Sequence, residues 1–256
     1  MLLAIDVGNT NIAFGIHDRD RDRWTNHWRI RTVPDKMPDE YGVLFRDLMR
    51  DAGLEMRDIH RVVLASVVPP LTGTLSEMFK RQINREPLVV GPGVRTGLRI
   101  RTDNPAEVGA DLVANAVAAY ARFQSNCIAV DFGTALTFTA VAEPGDLLGV
   151  TIAPGLNAAA SALFRNTAQL PRVQLTPPPA AIGRNTIHSI QAGVVFGYVG
   201  LVEALLDRMR REMGGHAQAI ATGGLAQVIA PLTDRFADVD PWLTLEGLRI
   251  IAERNG

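Results

Sequence analysis

The sequence predicts an α/β protein made of two similar halves, and three observations carry that reading. Apolar, strand-like runs alternate with helical periods along the chain. The segment Leu3-Ala4-Ile5-Asp6-Val7-Gly8-Asn9-Thr10 returns about half a chain later as Ile128-Ala129-Val130-Asp131-Phe132-Gly133-Thr134-Ala135. Each copy opens a strand-turn-strand-strand unit followed by helices, so an internal duplication is the simplest account. The expected halves are residues 1–123 and 124–256, with a cleft between them.

In the first half, Leu2 to Asp6 is an apolar run that ends at the first turn. Ile12 to Ile16 and Asn26 to Ile30 read as two further strands. Between them Arg19, Arg21 and Arg23 alternate with Asp18, Asp20 and Asp22, a solvated charge run. After Pro38, Tyr41, Leu44, Phe45, Leu48 and Met49 recur at helical spacing, and Gly53 closes that helix. Val62 to Val67 is a buried strand ended by Pro69-Pro70. A helix around Leu75 to Ile83 leads to a strand at Leu88-Val89-Val90. Gly91 to Asn104 reads as a loop, and about Pro105 to Phe123 as a helix whose alanines suit close packing.

In the second half, Ile128 to Val130 meets the second turn, and Leu136 to Val141 and Leu147 to Ile152 complete a meander. A helix from Gly155 through Leu170 and a stiff Pro177-Pro178-Pro179 connection follow. Thr186 to Met213 is a long helix. Its Val194, Val195, Tyr198, Leu201, Val202, Leu205 and Leu206 suit the core, and also a face against a second copy. Strand Ala219-Ile220-Ala221 runs into Thr222-Gly223-Gly224, and Leu243 to Arg254 closes the chain as a helix capped by Thr244.

Composition narrows the function. The 256 residues are 47% hydrophobic with a formal net charge of −1. Balanced charge gives no reason to expect nucleic acid or an anionic membrane as partner. One cysteine, Cys127, excludes an intramolecular disulfide and fits a reducing, cytoplasmic setting. No run reaches the roughly 18 apolar residues of a membrane helix. The start meets Asp6 at once, which reads as a strand and not as a signal peptide.

The two turns carry the chemistry. A tight turn between strands aims backbone N–H groups at whatever sits above it, and glycine lets a phosphate come close. Gly8, Asn9, Thr10 and Asn11 form the first turn, Gly133 and Thr134 the second. Asp6 and Asp131 stand at the strand ends, where a carboxylate serves magnesium or its water shell beside the phosphates of ATP. A single Asp-x-Gly is an ordinary turn, but two copies half a chain apart indicate nucleotide binding. Thr222, Gly223 and Gly224 offer bare backbone to a flat adenine or ribose. Asp111, near a helix start, either stabilises that helix end or accepts the proton of an attacking hydroxyl. His17, His27, His60, His188 and His216 show no metal-ligand spacing, and no P-loop is present.

These features occur in an ordered set of short stretches that resembles the type III pantothenate kinases over nearly the whole chain. The set includes Asp6 to Asn11, Trp28-Arg29-Ile30, Asp103-Asn104-Pro105, Glu107-Val108-Gly109-Ala110-Asp111, Asp131 to Ala135, Ile182 to Thr186 and Ala221 to Leu225. The resemblance implies duplicated actin-like (ribonuclease H-like) domains with a nucleotide cleft between them. It implies a homodimer that phosphorylates pantothenate with ATP, magnesium and a monovalent cation such as potassium or ammonium, opening coenzyme A biosynthesis. By match, Asp111 is the general base and Asp131 lies near the monovalent cation. Gly109 and Ala110 beside Asp111, and Thr186 from the partner subunit, line the pantothenate pocket.

Three positions depart from the family pattern. Leu112 stands where the family has Arg, Thr102 where it has Tyr, and Thr139 where it often has Asp. Leu112 lacks a cation with several donors, and Thr102 lacks apolar area. A kinase for a different small alcohol and a non-catalytic regulatory paralogue are the alternatives these positions raise.

Overall fold

In the computed structural model, which describes residues 1–165 and 170–256, both copies of the repeated segment fold alike. The first gives strands β1 (Leu2–Val7), β2 (Asn11–Asp18) and β3 (Arg23–Arg31). The second gives β7 (Cys127–Phe132), β8 (Ala135–Ala142) and β9 (Asp146–Pro154). Strand lengths of 6, 8 and 9 residues recur in both meanders. Each outer hairpin carries its bulge at the same place, after Ile16 in β2 and after Ala140 in β8.

The first sheet has the order β3-β2-β1-β4-β5, with β4 (Arg61–Ser66) and β5 (Leu88–Val89) parallel to β1. Helices α1 (Pro38–Asp51) and α2 (Pro69–Ile83) cross between these strands. Alternation puts Leu3, Ile5, Val7, Ile12, Phe14 and Leu64 on one face, where they bury against Phe45 of α1 and Phe79 of α2. Phe45 stacks on Phe14 with ring centroids 4.3 Å apart, worth about 0.5–1.5 kcal/mol beyond burial. The pair Pro69-Pro70 begins α2 instead of only ending a strand, because proline fits the first helical turn, where its missing N–H costs nothing.

The second sheet has the order β11-β10-β7-β8-β9-β6. Here β10 (Gln218–Thr222) and β11 (Asp238–Val239) run parallel to β7, and β6 (Arg99–Ile100) pairs with β9. Ile128, Val130, Phe132, Leu136 and Phe138 bury with Val194, Val195, Val202 and Leu206. The last four lie on one continuous helical run: α5 (Thr186–Gln191), a π-helical stretch (Ala192–Phe196) and α6 (Gly197–Glu212). That run of 27 residues matches the long helix expected from Thr186 to Met213, and by length and composition it is apolar enough to cross a bilayer, against the expectation that no run would be; its Val194, Val195, Val202 and Leu206 are buried in this core.

The chain divides into two units. Unit 1 holds Met1–Leu98, Asp103–Ala118 and Thr244–Gly256, and unit 2 holds Arg99–Thr102 and Ala119–Leu243. The C-terminal helix α8 (Leu243–Arg254) falls in unit 1 from Thr244 onward. Its contacts explain why. Trp24 Nε1 donates to Glu246 at 3.0 Å, the Thr244 hydroxyl donates to Asn115 Oδ1 at 2.8 Å, and Asn255 Nδ2 donates to the Arg95 carbonyl at 2.8 Å. Gly247 lies directly on the backbone of Ala114. Thr244 therefore sits inside the first turn and is not the cap. Residues 99–102, read as loop, join the second sheet because the Arg99 and Arg101 N–H groups donate to the Gly145 and Leu147 carbonyls.

The helix expected over 105–123 begins later. A short 3-10 turn covers Pro105–Glu107, and α3 runs Ala110–Phe123. The helix after Gly155 is α4 (Leu156–Arg165), and its expected continuation over 166–169 lies outside the described residues. The strand around Ala219 extends through Thr222, and a one-turn helix α7 (Ala226–Ile229) follows the glycine pair.

Candidate functional site

In unit 1, the turn after Asp6 is closed on itself and then pinned from outside. The Gly8 N–H donates to the Asn11 carbonyl at 3.0 Å. The Thr32 hydroxyl donates to the Gly8 carbonyl at 2.6 Å, and the Thr32 N–H donates to the Thr10 carbonyl at 3.0 Å. Those bonds occupy the carbonyls of Gly8, Thr10 and Asn11, and Asn9, Thr10 and Asn11 are exposed at the tip of the turn. Thr32 is the residue the sequence reading missed. The signal available was its place one residue beyond the third strand.

Asp111 reaches the same end of the first sheet. Gly109 precedes α3, and a Cβ built on it lies 3.7 Å from Val67 Cγ1. The Val67 N–H in turn donates to the Val7 carbonyl at 3.1 Å, one residue beyond Asp6. A side chain on Gly109 would displace the Asp111 carboxylate, whose Oδ1 lies 2.5 Å from the added Cβ. The first turn of α3 thus packs close to the strand end that carries the turn after Asp6. Burial pushes the Asp111 carboxyl above the ordinary carboxylate range, and N–H groups from Leu112 and Asp111 oppose that rise. The Leu112 N–H donates to Oδ1 at 2.9 Å. A partly shielded carboxylate with a raised proton affinity, held by its own helix start, is suited to accept a proton. Ala110 and Leu112 flank it, both half-buried.

In unit 2, the turn after Asp131 is held differently. Thr222 is directly opposite Asp131 in the β7–β10 ladder, which brings the glycine pair onto this turn. Gly223 has φ +90°, and a Cβ there would strike Asp131 Oδ1 and the Phe132 backbone. Gly155 packs as tightly, since its Cβ would run into the Thr134 and Gly133 carbonyls. Gly133 and Thr134 are exposed. Thr222 is 1% exposed, so it serves the strand end, and Gly223 and Gly224 offer the backbone. These glycines leave a cradle in which backbone can approach a phosphate or ribose. Among the described residues no three His, Cys, Asp or Glu side chains converge, so magnesium here would take much of its shell from phosphate oxygens and water.

The remaining expected residues lie in other elements of unit 2. Thr102 follows β6 in unit 2, and its hydroxyl oxygen is buried without a hydrogen-bond partner among the described residues. Thr139, in β8, has the same property and is fully buried. Thr186 opens α5 behind Asn185, whose side chain accepts the His188 N–H, and it is exposed. Burial pushes the Cys127 thiol up to about 12, so it stays neutral and structural.

Comparison with known proteins gives a consistent result. The sequence profile described as type III pantothenate kinase matches residues 2–208. The chain is 52% identical to the type III pantothenate kinase of Moorella thermoacetica, with both chains covered completely. It is 49% identical to that of Myxococcus xanthus and 50% identical to that of Geobacter sulfurreducens, covering 100% of this chain and 99% of each relative. Among solved structures, a protein from Campylobacter jejuni described as a Baf family transcriptional activator matches with a TM-score of 0.60 and 19% identity, covering 99% of this chain and 98% of that one. The activator of a 2-hydroxyisocaproyl-CoA dehydratase from Clostridium difficile, with bound ADPNP, gives 0.51 at 12% identity, covering 99% and 95%. At such identities the structural matches speak to the fold alone, and that fold is the duplicated actin-like one.

Proposed function

The chain belongs to the type III pantothenate kinase family, and from that premise we propose that it transfers the γ-phosphoryl group of ATP to the hydroxyl of pantothenate, opening coenzyme A biosynthesis. The observation that carries the mechanism is Asp111, whose carboxyl is raised by burial at a helix start packed against the strand end of the first phosphate turn. In the reaction the substrate oxygen bonds to the γ-phosphorus, the bond from that phosphorus to ADP breaks, and Asp111 accepts the hydroxyl proton.

The other residues bind and orient. Gly8, Asn9, Thr10 and Asn11 take phosphate oxygens at the first turn, and Gly133 and Thr134 do so at the second. Asp6 would hold magnesium, and Asp131 would hold a potassium or ammonium ion. Magnesium, when bound, offsets the negative charge of the phosphates. Gly109, Ala110, Thr102 and Leu112 line the acceptor, with Thr186 contributed by the partner of a homodimer. Ile152, Ile182 and Ile187 are 66%, 84% and 51% exposed, which supports an interface between copies. The protein works in the cytoplasm.

The test is turnover of purified protein with ATP, magnesium, potassium and pantothenate, with Asp111→Asn alongside. Wild-type turnover that vanishes in the variant is the expected result. No turnover at high ATP, even with ammonium, would sink the pantothenate assignment. A second reading, a different small alcohol as acceptor, is favoured by Leu112 and by the shielded Thr102 hydroxyl. Activity in a panel of alcohols, absent with pantothenate, would establish it.

A further inference from the structure

We propose that Arg29 is a further nucleotide-binding residue, delivering its guanidinium to the phosphate oxygens held at the Asp6 turn. The kinase reading enters here only to name the anion as a nucleotide phosphate. The placement follows from strand alternation. On β1, Ile5 and Val7 lie in the first core, so Asp6 points to the opposite face. On β2, Ile12 and Phe14 lie in that core, so Ala13 points away from it. On β3, Trp28 and Ile30 pack against it, so Arg29 and Arg31 point away as well.

Register then aligns these residues. Asp6 is opposite Ala13, and Ala13 is opposite Arg29. Residues directly opposed across strands share a face, so Arg29, Ala13 and Asp6 form one row. Only the methyl group of Ala13 stands between the arginine and the carboxylate in that row. The span is two strand spacings, about 9.6 Å between backbones. An arginine side chain covers most of that distance towards a ligand above Asp6. Arg29 is exposed, so its charge carries little desolvation cost. The end of β3 is also fixed to the turn, because Thr32 bonds to the carbonyls of both Gly8 and Thr10.

The chemistry matches the placement. The Asp6 carboxylate repels an approaching triphosphate, and a cation on the same face offsets that repulsion. A guanidinium presents a planar fork of donors that fits two phosphate oxygens at once. The sequence motif Trp28-Arg29-Ile30 thereby divides its work, with the two apolar residues in the core and the arginine on the face of the turn.

Calorimetric affinities for ATP, ADP and adenosine, at fixed magnesium and without acceptor, test this in wild type, Arg29→Gln, Arg29→Ala and Arg29→Lys. Arg29→Gln is expected to bind ATP about tenfold or more weakly, the worth of a lost charge-assisted hydrogen bond. Adenosine affinity should stay unchanged, and Arg29→Lys should recover part of the ATP affinity. Arg29→Ala reads the same comparison if Arg29→Gln fails to fold. Wild-type ATP affinity in the glutamine or alanine variant would overturn the proposal, as would an equal loss for adenosine. No arm needs an acceptor, so failure of pantothenate turnover in the wild type would end the proposed function and leave this inference standing.

Discussion

The two glycine turns after Asp6 and Asp131 arise from the same repeated segment, yet they are held by different physics. In unit 1 the turn is secured by hydrogen bonds, two of them from Thr32. In unit 2 it is secured by close backbone packing against Gly155 and Gly223, with no room for a methyl group at either. A duplicated loop thus kept its shape while its support diverged. The first copy depends on a donor, and the second depends on the absence of a side chain.

The largest expected effect lies beside the first turn. Asp111→Asn should reduce turnover by roughly a thousandfold or more, the order of a general base's contribution, while leaving the fold intact. Its stability sign is the reverse of its activity sign. The folded-state carboxyl is raised, so the charged form burdens the fold as pH rises through that raised value, and the burden is absent below the unfolded pKa of about 3.9. Thermal melts at pH 7 should therefore place the variant at or above wild type, with the difference fading in acid. A clear loss of melting temperature at pH 7 would contradict a carboxyl raised chiefly by burial.

The same shift sets the acid limb of the rate. Since Asp111 must be ionised to accept a proton, kcat/KM should fall with decreasing pH at a higher pH than an ordinary aspartate would give. A limb at the ordinary aspartate value would remove Asp111 from that role.

Next in size is the packing of the second turn. Gly223→Ala adds a methyl group into Asp131 and Phe132 and forces alanine to φ +90°, so a loss of about 1–3 kcal/mol is expected in chemical denaturation. Thr32→Val, the matching change at the first turn, removes one hydrogen bond and should cost about 1 kcal/mol with a severalfold weaker ATP affinity. Equal costs at the two sites would erase the distinction between their supports. The smallest effect should have the opposite sign. Thr139→Val replaces a fully buried hydroxyl that has no partner among the described residues, and denaturation should show neutrality or a gain of about 1 kcal/mol.

Much of this was legible beforehand. Period-two alternation and the repeat identified both meanders, and the strand-end positions of Asp6 and Asp131 follow from them. Two elements were not legible for local reasons. β6 and β11 are two-residue strands, too short to show any periodicity, and each exists because a neighbouring strand offers carbonyls and N–H groups. The late start of α3 was hidden because Pro105 begins a 3-10 turn that imitates a helix start.

By itself the sequence determined which residues turn the chain and which carry charge, since glycine, proline and alternating apolar positions act through local geometry. It thereby determined the two strand-end turns and their aspartates. Tertiary structure decided what holds each turn, that α8 returns to the first unit, and that Asp111 lies close to the first strand end. Those outcomes depend on contacts between residues far apart in the chain, such as Gly109 with Val67 and Trp24 with Glu246. No local pattern encodes them, because burial and proton affinity belong to the packed surroundings of a residue and not to its neighbours in sequence.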